Sequence, residues 1–208
     1  FVSDLILDEL KPLSLLDIGC GDGRLLNMLS GKIDHLVGVD KLEAPILFAQ
    51  AFNPGLQFYV GEAAEVPDRF QVTTLIEVLE HIPDDLVPAF IQPVAKKTLP
   101  DGCLLVSVPT TNVTVSKKHY RHYNLELLRA QLLPAFEIER YWYLSQNGFL
   151  AKLFNFLLHN MFGIVLSGKW RRMIWRLHKR FTFHADAGNG RHLIAVAKPR
   201  TLNGGGGA

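Results

Sequence analysis

The chain has 208 residues, 48% hydrophobic and 20% charged, with two cysteines and a formal net charge of +2. That length buries a core without staples, two cysteines cannot form a disulfide framework, and the apolar content excludes wholesale disorder. The small net charge conceals a split: residues 1–100 hold 7 Lys+Arg against 15 Asp+Glu, whereas residues 101–208 hold 15 against 5.

The opening stretch FVSDLILDELKP lacks the basic start of a secretory signal, so the sequence reads as cytoplasmic. SLLDIG (14–19) is the first buried strand, and it runs into a glycine-rich loop and a helical pattern near 22–31. HLVGVD (35–40), a helix at 43–52 and LQFYV (56–60) follow. Then come VTTLIEVL (72–79), a helix at 84–98, CLLVSVP (103–109) and a helix at 124–133. EIERYWYL (137–144) and HLIAVAKP (192–199) are the last two strands.

Strands alternating with helices at this spacing predict an α/β, Rossmann-like, seven-stranded, mostly parallel sheet with helices on both faces. The long connection between the last two strands predicts a helical insert or lid over about 147–190. Residues 1–200 read as a single domain and 201–208, which include a glycine run, as a flexible tail. The most apolar window, Phe149 to Leu166, is broken by Lys152, Asn155, His159 and Asn160, so it does not read as a spanning helix.

The loop after the first strand reads Asp17-Ile18-Gly19-Cys20-Gly21-Asp22-Gly23. Glycines at a strand-to-helix turn let a ligand approach the backbone closely, and Asp40, ending the second strand, is placed to hold the hydroxyls of a ribose. A dinucleotide fingerprint would need a third glycine where Arg24 stands, which counts against a nicotinamide-dependent dehydrogenase. Acids at 17, 22 and 40 suit a ligand with cationic groups better than a pyrophosphate.

These residues resemble the class I S-adenosylmethionine-dependent methyltransferase family. LLDIGCGDG is similar to its first motif, Val39-Asp40 to the end of its second strand, GEAAEVP (61–67) to its third motif and LIEVLEHIP (75–83) to its fourth. The likeness runs from about residue 10 to 145 and implies S-adenosylmethionine as methyl donor. It implies that Gly19, Cys20 and Gly21 line the methionine part and that Asp17 orients its amino group. Asp40 would hold the ribose, Lys41 would flank the adenine, Glu62 and Ala63 would meet the adenine edge, and Ile76 and Glu77 would lie near the methionine group. The dozen residues ahead of the first motif are fewer than the family usually has.

Glu77, Glu80 and His81 are spaced i, i+3, i+4 where the fourth strand ends, so a coiled backbone would turn all three to one side. His119-Tyr120-Arg121-His122-Tyr123 follows the fifth strand and belongs to the same sheet edge. Two carboxylates with imidazoles offer a site for Mg²⁺, Mn²⁺ or Zn²⁺ made of Glu77, Glu80, His81 and His122. The E-x-x-E-H pattern resembles metal-dependent members of the family, including small-RNA 2′-O-methyltransferases, and quinone-type O-methyltransferases. The residues leave a metal-free alternative open, in which Glu80, His81 and His122 act in catalysis with an imidazole as general base. A purely structural use of the turn is the third.

Residues 149–183 interleave aromatic and basic side chains. On a helix over 168–181, Trp170, Ile174 and Leu177 share one face and Arg172, Arg176 and Lys179 another. This suits a packed lid, a peripheral contact with the inner face of a membrane, or recognition of an anionic acceptor. Confinement of the charge to one insert argues against nucleic acid. The acceptor is therefore expected to be a small molecule (a sugar, a quinone-like phenol or a lipid-linked hydroxyl) methylated at oxygen. A metal-dependent RNA 2′-O-methyltransferase and an inactive, cofactor-binding partner subunit are the competing readings. Cys20 and Cys103 read as small apolar residues, and His35, His159, His178, His184 and His192 as ordinary polar contacts.

Overall fold

The computed structural model describes residues 1–159 and 168–200; the expected tail at 201–208 lies outside them. Helix α1 (Val2–Asp4) continues as a π-helical turn, Leu5–Leu10, that Lys11 closes at φ 46°. The other elements follow in the expected order. These are β1 (Ser14–Ile18), α2 (Arg24–Leu29), β2 (His35–Asp40), α3 (Glu43–Phe52), β3 (Gln57–Val60) and β4 (Phe70–Ile76). After them come α4 (Val87–Lys97), β5 (Thr98–Pro109), α5 (Leu125–Leu132), β6 (Phe136–Gln146), α6 (Phe149–His159), α7 (Gly168–Thr182), β7 (His184–Ala185) and β8 (Gly190–Pro199).

The strands form one sheet in the order β3-β2-β1-β4-β5-β8-β6-β7. The first five pair in parallel, while β8 is antiparallel to β5 and β6, and β7 is antiparallel to β6. Among the described residues, eight strands stand where seven were expected. The extra one, β7, is two residues long and far too short to show a period-two pattern. The central strands are buried on both sides, which is why they read as continuous apolar runs rather than alternating ones.

Both faces are covered. Leu16, Val37 and Leu75 pack with Ile91 and Val94 of α4 and Leu128 of α5 on one side. Leu15, Leu36 and Leu105 pack with Ile6, Leu26 of α2 and Ile46 of α3 on the other. Asn124 caps α5 by accepting the Leu127 N–H at 2.8 Å.

Two boundaries differ from expectation for local reasons. Helix α2 is shorter than 22–31, because Gly23 enters it at φ 75° and Ser30 leaves it extended. Strand β4 stops at Ile76 rather than 79, because Glu77 takes φ 55° and turns the chain into a 3₁₀ turn at Leu79–His81. The insert between β6 and β8 contains α6 and α7, which pack on each other, with β7 after them. Phe1 lies against Trp142 and Phe183, with ring centroids 5.5 and 5.9 Å apart, so the first residues of the chain touch the base of that insert.

Candidate active site

The carboxyl ends of the parallel strands carry the polar side chains, the edge at which open α/β sheets hold ligands. Between β1 and α2, the Gly19 and Cys20 N–H groups both donate to Val39 O, at 2.7 and 3.2 Å. Gly21 N–H donates to Asp40 Oδ2 at 3.0 Å, and Leu42 N–H donates to Asp40 Oδ1 at 2.9 Å. The loop and the Asp40 carboxylate thus hold each other before any ligand arrives. Gly19 has φ +73°, and a Cβ built there would sit 2.6 Å from Val78 Cγ2. Gly19→Ala is therefore expected to cost about 1–3 kcal/mol of stability through strain and overlap, read by denaturant titration. An unchanged midpoint would show that the loop relaxes.

Asp17 is 3% exposed, and the Thr74 hydroxyl donates to its Oδ1 at 2.6 Å. Burial pushes its carboxyl up to about 7, the Thr74 hydrogen bond partly offsets that, and nearby Asp40 adds to it. Cys20 is buried, and burial with Asp17 and Asp40 close by pushes its thiol upward, so it is an inert wall rather than a nucleophile. Glu62 and Glu65 form a reciprocal cap around Ala63, which is buried, while Lys41 is exposed.

The 3₁₀ turn after β4 and the loop before α5 bring together three groups able to ligate a metal. One atom each from Glu80, His81 and His119 lie within 4.8 Å of one another. Backbone carbonyls set the histidine tautomers. His81 Nδ1 lies 3.0 Å from Lys118 O and His122 Nδ1 lies 3.0 Å from Val113 O, so both Nδ1 atoms carry the proton and donate. In the neutral ring His122 Nε2 then has the lone pair and accepts from His119 Nδ1–H, 2.9 Å away. The lone pairs of His81 and His119 are left on Nε2. Burial lowers the His119 pKa, helped by the neighbouring His81 and His122 rings. Glu80 is 1% exposed, its Oε2 has no hydrogen-bond partner among the described residues, and burial pushes its carboxyl up to about 8.

This grouping differs from the expected set. His119, not His122, meets Glu80 and His81; His122 stands behind it and holds its ring. Glu77 does not join them, because its left-handed φ of 55° takes it out of the coil that would have aligned positions 77, 80 and 81. Its Oε1 accepts from the Ser107 hydroxyl at 2.5 Å and lies 3.3 Å from His192 Nδ1. Ile76, half-buried, is the last residue of β4 beside it.

A family model for a methyltransferase domain matches residues 1–152. The chain belongs to the methyltransferase-domain family. It is of the class I S-adenosylmethionine-dependent kind that its motifs resemble. A ubiquinone biosynthesis O-methyltransferase of Azorhizobium caulinodans is 38% identical over 116 residues, covering 52% of this chain and 44% of the relative. One of the same name from Aeromonas salmonicida is 29% identical over 106 residues, covering 47% and 44%. The matched stretches thus span less than half of these relatives. In fold, the methyltransferase resembles the N-methyltransferase NodS from Bradyrhizobium japonicum, solved with S-adenosyl-L-homocysteine. That likeness has a TM-score of 0.63 at 14% identity and covers 95% of this chain and 83% of the other.

Three polar residues of this methyltransferase edge were not expected in the site: His119, named only as part of its loop while His122 was expected to ligate, Ser107, and His192, which read as an ordinary polar contact. For Ser107 and His192 no local signal exists, because their partner Glu77 lies 30 and 115 positions away.

Proposed function

We propose that this methyltransferase transfers the methyl group of S-adenosylmethionine to a hydroxyl of a small, phenol-like acceptor, with a divalent cation at Glu80, His81 and His119. The convergence of these three groups on the carboxyl edge that also carries the glycine loop supports the reading, and the names of the two relatives support methylation at oxygen. The donor set fits a cation on two grounds. The buried Glu80 Oε2 has no hydrogen-bond partner among the described residues, and both imidazoles engage Nδ1 in hydrogen bonds, which leaves Nε2 for a cation, as in metal-bound histidine. When bound, the cation lowers the pKa of an acceptor hydroxyl. Gly19, Cys20, Gly21 and Asp17 would hold the methionine part of the donor, Asp40 its ribose, and Lys41, Glu62 and Ala63 its adenine. Alignment of the acceptor against an already reactive methyl group then supplies most of the catalysis. Labelled donor assayed against catechols and other phenols, before and after chelation, tests the reading. Full activity after rigorous chelation would remove the cation, and binding of NAD without S-adenosylhomocysteine would remove the donor.

The helical pair of the insert supports a second element of this reading: a lipid-linked acceptor met at a membrane surface. Phe149 is 83% exposed and Phe156, Trp175 and Phe181 about half exposed, while Lys152, Arg172, Arg176 and Arg180 are exposed as well. The side chains of Trp170 and Lys179, expected on the two faces of α7, lie outside the described residues. No helix among the described residues is long and apolar enough to cross a membrane, so the contact would be peripheral. Each cation near an anionic surface contributes about 1 kcal/mol at physiological ionic strength. Co-sedimentation is expected with vesicles containing phosphatidylglycerol and not with pure phosphatidylcholine, and high salt should release the protein. Equal recovery with both vesicles would refute an electrostatic contact.

A further inference from the structure

The carboxyl edge holds a second polar constellation that the candidate cation site leaves unused. Glu77 follows β4, Ser107 lies near the end of β5, and His192 lies near the start of β8, which runs antiparallel to β5 and so begins at the same edge. His192 is opposite Pro109 on one side and Leu144 on the other. The three side chains meet on the Glu77 carboxylate, which accepts from Ser107 Oγ and faces His192 Nδ1 at 3.3 Å. A left-handed backbone at a bulky residue, φ 55° at Glu77, sets this geometry and is the sort of strain that functional sites retain. The Glu77 and His192 side chains are 35% and 40% exposed, open enough to meet a ligand.

The contact with Glu77 places a proton of the His192 imidazole on Nδ1, so Nε2 is the nitrogen that carries the lone pair when the ring is neutral. Burial would raise the Glu77 carboxyl, but the hydrogen bonds from His192 and Ser107 hold it below the usual range, so it stays an anion. The other histidines of the edge are committed. Both nitrogens of His122 are bonded, and the free lone pairs of His81 and His119 serve the cluster with Glu80.

We propose that His192 takes the proton of the acceptor hydroxyl during methyl transfer, with Glu77 as the residue that positions it. This rests on the O-methyltransferase reading. The O–H bond breaks with its proton passing to Nε2, and the acceptor oxygen bonds to the methyl carbon. The carbon–sulfur bond of the sulfonium donor breaks with its electron pair left on sulfur. The positive charge lost at sulfur reappears on the imidazolium, facing the Glu77 carboxylate, so charge is conserved within the site.

The test joins an acceptor-independent measurement to a kinetic one. Nitrogen-15 NMR of the whole protein should show His192 as the Nδ1–H tautomer, and Glu77→Gln should weaken that preference. An Nε2–H ring, or one indifferent to Glu77, would overturn the proposal even if no acceptor were found. With catechol as acceptor, His192→Gln should lower kcat by ~100-fold or more while S-adenosylhomocysteine affinity, Mn²⁺ affinity and thermal midpoint stay as in the parent. Imidazole added to His192→Gly should restore turnover, and Glu77→Gln should lower kcat with KM kept. Full turnover by His192→Gln, or loss of Mn²⁺ binding in Glu77→Gln, would overturn it. A parent protein that methylates no phenol but shows the Glu77-dependent Nδ1–H ring would fail the O-methyltransferase reading and leave the histidine device standing.

Discussion

Asp17→Asn is expected to weaken S-adenosylmethionine binding by ~100-fold, the worth of one hydrogen bond to a charged group, and yet to stabilise the ligand-free protein at pH 8. Both effects come from one buried carboxyl, 3% exposed and pushed from 3.8 to about 7 by burial. Its folded-state pKa lies above the unfolded value, so the folded chain keeps this proton at pH values where the unfolded chain has released it. The stability it contributes is complete below about 4 and lost as pH rises through about 7. Asparagine mimics the protonated form, can still accept from Thr74, and removes the slope. The gain above pH 7 is on the order of 2–4 kcal/mol. Donor binding runs the opposite way: a cationic ligand favours the anion, so affinity in the parent climbs with pH and levels off above about 7. Thermal melts at pH 5 and pH 8, with calorimetry of S-adenosylhomocysteine at both, check the pair. Equal melts of parent and variant at pH 8 would show that Asp17 ionises there at no cost.

The parts of the fold legible in the sequence are those where a local pattern and the tertiary environment agree. β1, β2 and β4 lie between two helical layers, so each is a run of apolar residues ended by a turn. The glycine loop and Asp40 were legible because both sit at strand ends and their contact, Gly21 N–H to Asp40, follows from β1 and β2 being neighbours. Site details failed where one backbone angle decided the outcome. A helical repeat through Glu77, Glu80 and His81 predicts one face; the left-handed turn at Glu77 sends the first of them across β5 to Ser107 and His192 instead. The choice of His119 over His122 depends on Val113 O, which fixes the inner ring so that the outer one presents its lone pair. β7 exists only because it pairs with Tyr143 and Leu144 of β6, which no two-residue window can announce.

Glu80→Gln is expected to abolish the thermal shift that Mn²⁺ gives the parent while leaving the metal-free stability at pH 7 within about 1 kcal/mol of the parent's. The carboxyl is buried and pushed up to about 8, so at neutral pH the metal-free side chain is already neutral and glutamine is close to its isostere. What the substitution removes is the anion that would meet a cation, at an oxygen that has no hydrogen-bond partner among the described residues. His119→Gln removes a candidate ligand nitrogen and should match it. His122→Gln leaves the three ligating atoms in place but loosens the His119 ring, so Mn²⁺ affinity should fall by only ~10–100-fold, the usual cost of losing such a support. This ranking separates a metal centre from a charged turn. If Glu80→Gln bound Mn²⁺ as the parent does, or if His122→Gln lost more affinity than His119→Gln, the three converging atoms would be a structural knot holding the loop after β5 against the end of β4, and the acceptor hydroxyl would depend on side-chain bases alone.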